Sequence, residues 1–204
     1  MIKWRDYHRK HEGKALLMAC GPSIKQLTKE DQFSFDATFG VNDIARHGFA
    51  PNYLVCVDHI TRFNADRKPY VSTKYCEVMF LYNRVTNKKR GWLHRHLDFN
   101  KVCELPLTRI NSDFNGPALV HSNNSALVAL SIASCMGFTK LGMIGVDLRG
   151  HAELSKDRQL GKANQDFAWM MKGFNKHNIE LYNLSPKSNI TTVPKMSLKE
   201  FKQL

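Results

Sequence analysis

The chain has 204 residues, with 30 Lys+Arg against 18 Asp+Glu and a formal net charge of +12 at pH 7. Apolar residues make up 43% and charged residues 24%, the balance of a globular chain long enough to bury one full core. With 12 glycines and 7 prolines it is neither fibrous nor low in complexity, and no apolar run approaches the ~20 residues that span a bilayer. The first residues hold no apolar core of a secretory signal.

Lys14-Ala-Leu-Leu-Met-Ala-Cys20 predicts a buried strand running into the turn Gly21-Pro22-Ser23, with Ser23 capping a helix to about residue 29. Asp36-Ala-Thr-Phe-Gly-Val41 predicts a second strand, ending at Asn42-Asp43. Tyr53-Leu-Val-Cys-Val57 predicts a third, ending at Asp58, and Cys76-Glu-Val-Met-Phe-Leu-Tyr82 a fourth, ending at Asn83. Residues 84–117 break the alternation and read as a basic insertion or lid on a single domain.

Residues 125–136 place Ala126, Leu127, Ala129, Leu130, Ala133 and Met136 on one broad helical face, stopped by Gly137. Lys140-Leu-Gly-Met-Ile-Gly-Val146 predicts a strand ending at Asp147. Residues 163–177 put Phe167, Met170, Met171 and Phe174 at helical spacing, and Ile179-Glu-Leu-Tyr182 closes the series as a strand. Strands apolar on both faces, alternating with helices, predict an α/β fold: a doubly wound, mostly parallel Rossmann-like sheet with helices on both faces.

Ligands of such folds sit beyond the carboxyl ends of the strands, so the residues just after each strand are the candidates. Gly21, Pro22 and Ser23 would bring backbone close to an anion, or form an ordinary turn. Ser122-Asn123-Asn124-Ser125 exceeds the needs of one helix cap, and Asn124 and Ser125 suit a phosphate or ribose. The Asn42 amide both donates and accepts, as a nucleobase requires. Asp58 and Asp147 fit ribose hydroxyls, a metal, or simple capping. His151, in a glycine-flanked loop, suits a general base near neutral pH, with His59 and His121 as rivals.

Basic residues gather at 3–14, 62–74 and 84–101. The last stretch holds Arg84, Lys88, Lys89, Arg90 and Arg95 around Trp92, composition suited to a polyanion or to a solvated loop. No helix-turn-helix, zinc-finger or RNP pattern accompanies it. Cys20, Cys56, Cys76, Cys103 and Cys135 are odd in number and form no C-x-x-C pair, which points to free thiols in a reducing cytoplasm and to no metal site.

Ala15-Leu-Leu-Met-Ala-Cys-Gly-Pro-Ser23, Phe39-Gly-Val-Asn42 and Tyr53-Leu-Val-Cys-Val-Asp58 resemble the opening of a Rossmann-like group. That group includes the bacterial family 42 sialyltransferases. It also includes the domain-of-unknown-function 115 proteins with the archaeal 6-hydroxymethylpterin diphosphokinases. Ala19-Cys20 stands where these families have Gly-Asn. Asn124-Ser125-Ala126, the run from Met136 to Leu141, Ile144-Gly-Val-Asp147 and Leu181-Tyr-Asn-Leu-Ser-Pro-Lys-Ser188 are similar to the later sialyltransferase segments. Ser125 falls on their nucleotide-contacting serine, and Gly150-His151 resembles their Gly-His base.

The resemblance implies a metal-independent glycosyltransferase using a CMP- or UDP-sugar, with His151 deprotonating an acceptor hydroxyl. The family's donor-phosphate tyrosines have no clear match, which leaves Lys156, Arg158 and Lys162 as candidates for the leaving phosphate. The charge favours a polyanionic acceptor. Hydroxylated-base DNA of the phage-modification kind is one, in the host cytoplasm if the chain is phage-encoded; a lipopolysaccharide-core or other glycan is another. Other classes remain: an Mg²⁺-dependent pterin diphosphokinase with Asp58 and Asp147 as ligands, or a non-catalytic nucleic-acid-binding protein. The oligomeric state is left open.

Overall fold

The computed structural model describes residues 3–58, 62–82, 97–105, 119, 122, 124–148 and 157–204. Seven strands form one sheet: β1 (Lys14–Met18), β2 (Ala37–Val41), β3 (Tyr53–Cys56), β4 (Val78–Tyr82), β5 (Val102–Leu105), β6 (Lys140–Ile144) and β7 (Glu180–Asn183). Their order is β5-β4-β3-β2-β1-β6-β7, and every pairing is parallel. Leu17 of β1 lies between Phe39 of β2 and Met143 of β6, in the middle of the sheet. The α/β, Rossmann-like expectation holds. Successive strands run outward from β1 to β5, then the chain returns to the far side of β1, so the topological switch lies between β1 and β6.

The two faces are covered differently. On the first, Leu17, Phe39, Val55, Phe80 and Met143 pack under two long helices, α1 (Ser125–Met136) and α2 (Asp157–Lys176). On the second, Leu16, Met18, Leu54, Met79 and Ile144 meet side chains from short 3₁₀ turns and loops, such as Ile24, Ile44, Phe49 and Phe63. Phe201 of α3 (Leu198–Gln203) completes that layer.

One broad apolar face was expected of α1, yet all 12 of its residues are buried. It is apolar enough all round to be sunk in the core, as its Ala, Leu, Val and Ile content allows. Ser131 and Ser134 fit there because each hydroxyl donates back to a helix carbonyl, Val128 O at 2.8 Å and Ser131 O at 2.9 Å.

The first basic stretch acts partly as a strap. Trp4 and Tyr7 pack edge-on against Phe80, and His11 stacks on Phe138 with ring centroids 5.3 Å apart. Backbone N–H groups of Arg9 and His11 donate to Cys135 O and Met136 O, which satisfies carbonyls at the end of α1. Arg5, Arg9 and Lys10 stay exposed.

Two local expectations change. The helix expected after Ser23 is a 3₁₀ turn, Pro22–Gln26, entered through Gly21. Ser23 lies inside the turn rather than at its cap, and its hydroxyl donates to Asp147 after the neighbouring strand β6. Inside 84–117, β5 is a regular edge strand paired to β4. Residues 84–96 and 106–117, which carry most of the insertion-or-lid reading, lie outside the described residues.

Candidate functional site

All strands being parallel, their carboxyl ends share one rim, which gathers residues from distant parts of the sequence. At the switch point the loops after β1 and β6 touch. Gly21 N donates to Gly145 O at 2.8 Å. A Cβ on Gly21 would lie 2.3 Å from Gly145 O and 2.5 Å from Asp147 Oδ2. Gly145 has φ +78°, and a Cβ there would meet Ala19 O at 1.9 Å. Only glycine fits at either position.

Asp147 Oδ2 accepts from Ser23 N at 2.8 Å and Ser23 Oγ at 2.9 Å. Ser23 Oγ in turn lies 2.6 Å from Ser185 Oγ, after β7, and Gly145 N donates to both serine oxygens. The Ser23 hydrogen goes to the carboxylate, which can only accept, so Ser185 donates to Ser23. Ser23, Asp147 and Ser185 are 6%, 3% and 0% exposed. This network is a buried clasp joining β1, β6 and β7. Just beyond it Leu148 takes φ +50°, and Asn189 N holds Asp147 O. The chain then enters residues 149–156.

The gap between β1 and β2 is built differently. Asn42 sits at φ +56° and is half-buried. Its Oδ1 accepts from Ser125 Oγ at 3.2 Å, so two residues 83 positions apart meet. Asn124 caps α1 by accepting Ala126 N at 3.1 Å, and Ser122 Oγ accepts Asn124 N. Ser125 is therefore not needed as the cap, and it sits at a helix N-terminus, where N–H groups favour an anion.

Beside Asn42, Asp43 is buried and held by Arg67 through Nε to Oδ2 at 2.8 Å and Nη2 to Oδ1 at 2.6 Å. Burial alone would raise the Asp43 carboxyl; the Arg67 hydrogen bonds and charge outweigh it and hold it below the usual range. Arg67 is raised in return, first by its hydrogen bonds to Asp43. Cys20 Sγ lies 3.7 Å from Asp43 Oδ1, and burial pushes its thiol up to about 12. The Cys56, Cys76, Cys103 and Cys135 thiols are likewise pushed up to about 12 by burial, and all five cysteines are free. None offers a thiolate nucleophile at neutral pH.

Asp58, half-buried after β3, pairs with exposed Arg62 at 3.0 Å. Among the described residues no group of three His, Cys, Asp or Glu gathers as a metal site would require, and no helix is long and apolar enough to cross a membrane. Gly21, Pro22, Ser23, Asn42, Asp58, Asn124, Ser125 and Asp147 thus share the carboxyl rim, with Ser23 and Asp147 turned toward each other. Lys162 is exposed on α2, and Arg158 lies in the first turn of that helix. His151, Lys156, Arg84, Lys88, Lys89, Arg90, Trp92 and Arg95 lie outside the described residues, as do His59 and His121.

Three participants were not singled out from sequence. Arg67 lay within the basic stretch 62–74, Asp43 beside Asn42, and Ser185 inside the Leu-Tyr-Asn-Leu-Ser-Pro run. The available signal was adjacency to residues already chosen.

The structure is similar to that of the sialyltransferase CstII from Campylobacter jejuni in complex with the substrate analogue CMP-3FNeuAc. The TM-score is 0.55 at 14% identity, over 92% of this chain and 86% of that chain. It is also similar to CstII in complex with a trisaccharide acceptor and CMP, with TM-score 0.53 at 13% identity over 90% and 86%. An apo α-2,3-sialyltransferase from Campylobacter jejuni gives 0.51 at 12% identity over 91% and 80%. At such identities the likeness is one of fold. No family model matches the chain, and no curated protein matches its sequence.

Proposed function

We propose that this chain is a nucleotide-sugar-dependent glycosyltransferase whose donor is a CMP-sugar. The observation that carries the reading is a fold shared along 92% of the chain with a sialyltransferase captured with CMP-3FNeuAc. The pairing of Asn42 with Ser125 at the rim supports it, since an amide and a hydroxyl beside a helix N-terminus suit a nucleoside monophosphate.

In this reading Gly21 and Pro22 shape the floor of the donor site. The clasp of Ser23 with Asp147 fixes the end of the β6 segment, four residues before His151 in the sequence. His151 takes the proton from the acceptor hydroxyl as that oxygen attacks the anomeric carbon, and the C–O bond to the donor phosphate breaks. The leaving CMP departs as the anion, stabilised by cationic side chains, with Lys156, Arg158 and Lys162 the nearest in sequence. Metal is not required by this scheme. The pterin diphosphokinase alternative asks Asp58 and Asp147 to bind Mg²⁺, but Asp147 Oδ2 already receives two hydrogens from Ser23 and Asp58 pairs with Arg62.

The excess of cations points to a polyanionic acceptor, with hydroxylated-base DNA preferred over a lipopolysaccharide core or another glycan. The non-catalytic DNA-binding alternative predicts no donor turnover at all.

A thermal-shift screen against CMP, UDP, GDP and ATP, with and without Mg²⁺, tests the donor. CMP alone should stabilise, by about 2.7 kcal/mol at one hundred times its Kd, without need of the metal. Stabilisation by ATP only with Mg²⁺ would move the chain to phosphoryl chemistry. His151→Ala should leave CMP binding intact and lower transfer by roughly 10²–10⁴-fold. Binding to arbitrary duplex DNA should weaken linearly in log K against log salt, and a flat plot removes the DNA acceptor.

A further inference from the structure

We propose that Arg67 is a phosphate-holding residue of the nucleotide site, presented by Asp43 at the carboxyl ends of β1 and β2, where Asn42 meets Ser125. The assignment deepens the donor-site reading above and rests on it.

The geometry of the pair carries the argument. Asp43 is 3% exposed by its side chain and Arg67 25%. Nε and Nη2 of Arg67 grip the two carboxylate oxygens side-on. A guanidinium has five N–H groups in one plane, and this grip uses two. The Nη1 hydrogens and the second Nη2 hydrogen form a further fork on the end of the plane, matched to two oxygens of a phosphate. The guanidinium carbon sits over the buried ring of Phe63, 5.0 Å from its centroid. A carboxylate on one edge and a ring on one face leave the cation little freedom to turn away.

Placement gives the fork something to hold. Cys20 ends the β1 segment just before Gly21, and its Sγ touches Asp43 Oδ1, so the pair stands at the carboxyl end of β1. Phe63 belongs to the layer on the second face of the sheet, whereas Ser125 opens α1 on the first. Arg67 and the Asn42–Ser125 pair therefore stand at the same carboxyl rim, supported from opposite faces of the sheet. The phosphate of a nucleoside engaging Asn42 and Ser125 is the group we assign to that fork.

An apolar pair would fill this position without the desolvation that a buried carboxylate incurs. What the ion pair supplies in exchange is a cation fixed in orientation before the ligand arrives. That is the property a departing phosphate needs, because its charge is met without reorganisation.

The test compares CMP with cytidine on the full chain, by calorimetry for CMP and ligand-observed NMR for cytidine. Wild type, Arg67→Lys and the double variant Asp43→Asn with Arg67→Gln are measured. The double variant replaces the ion pair with two amides that can bond each other, so no charge is left buried alone. Wild type should favour CMP; the double variant should lose about tenfold or more of that preference with cytidine binding unchanged, and Arg67→Lys should fall between. Should the double variant fail to fold, Arg67→Lys carries the comparison alone. Equal losses for CMP and cytidine, or no loss for either, overturn the assignment and leave the donor reading standing. A wild-type chain that binds neither ligand overturns both.

Discussion

At the carboxyl end of the sheet β1 has β6 on one side and β2 on the other, and the chain fills the two gaps in opposite ways. Toward β6, two glycines let the backbones touch, and Ser23, Asp147 and Ser185 spend their hydrogen-bonding capacity on one another out of reach of water. Toward β2, a half-buried asparagine pairs with a helix-opening serine, and an arginine is pinned beside them by Asp43. Both gaps hold small polar residues of the types that bind nucleotides. Both are partnered, but the first is buried throughout, while the second leaves Asn42 half-buried and Arg67 partly exposed.

Variants should sort along that line, losing stability on the β6 side and ligand affinity on the β2 side. Gly145→Ala should do the most damage, since φ +78° and a 1.9 Å approach to Ala19 O leave no room; we expect a loss of at least ~3 kcal/mol, measured by denaturant midpoint. Asp147→Ala comes next. It strands the Ser23 N–H and hydroxyl in the core and should cost about 2–4 kcal/mol, with Asp147→Asn recovering part because its carbonyl still accepts the Ser23 N–H.

Asp43 gives a pH signature on the other side. Its folded carboxyl titrates below the ordinary carboxylate range, so the unfolded chain takes up its proton first as pH falls. The stability that Asp43 contributes is complete above the unfolded value of about 3.9 and is lost as pH drops through the lower folded value. Asp43→Asn should therefore flatten the acid limb of a stability profile without altering its slope above neutrality. Asn42→Gly should have the smallest effect on stability: glycine tolerates φ +56° more readily, offsetting the lost bond to Ser125 to within about 1 kcal/mol. CMP affinity should nevertheless fall, and an unchanged Kd would deny Asn42 a place in the donor site.

The strands were legible because each is a short apolar run closed by a polar or small residue. That pattern is local, and β1, β2, β3, β4, β6 and β7 follow it within two residues at either end. β5 was hidden, because Val102-Cys-Glu-Leu105 is a short run broken by Glu104 and follows directly on the basic stretch 84–101. At the candidate site, the rim positions were legible and their partners were not. Ser23 read as a helix cap because Pro22 and Ser23 together resemble a helix start; the Asp147 carboxylate, 124 positions away, took its hydroxyl instead. Arg67 is one cation of the basic stretch 62–74 in the sequence, and its grip on Asp43, 24 positions away, exists only in the fold.

The order of apolar runs and the residues that close them were thus written in the chain itself, because alternation and chain reversal depend on near neighbours. The β5-β4-β3-β2-β1-β6-β7 arrangement came only from packing. It depends on the long return from β5 to the far side of β1, which no short window of sequence encodes. That return sets Asp147 against Ser23 and Ser125 against Asn42, and so decides which polar groups are consumed in the core and which stand part-exposed at the rim.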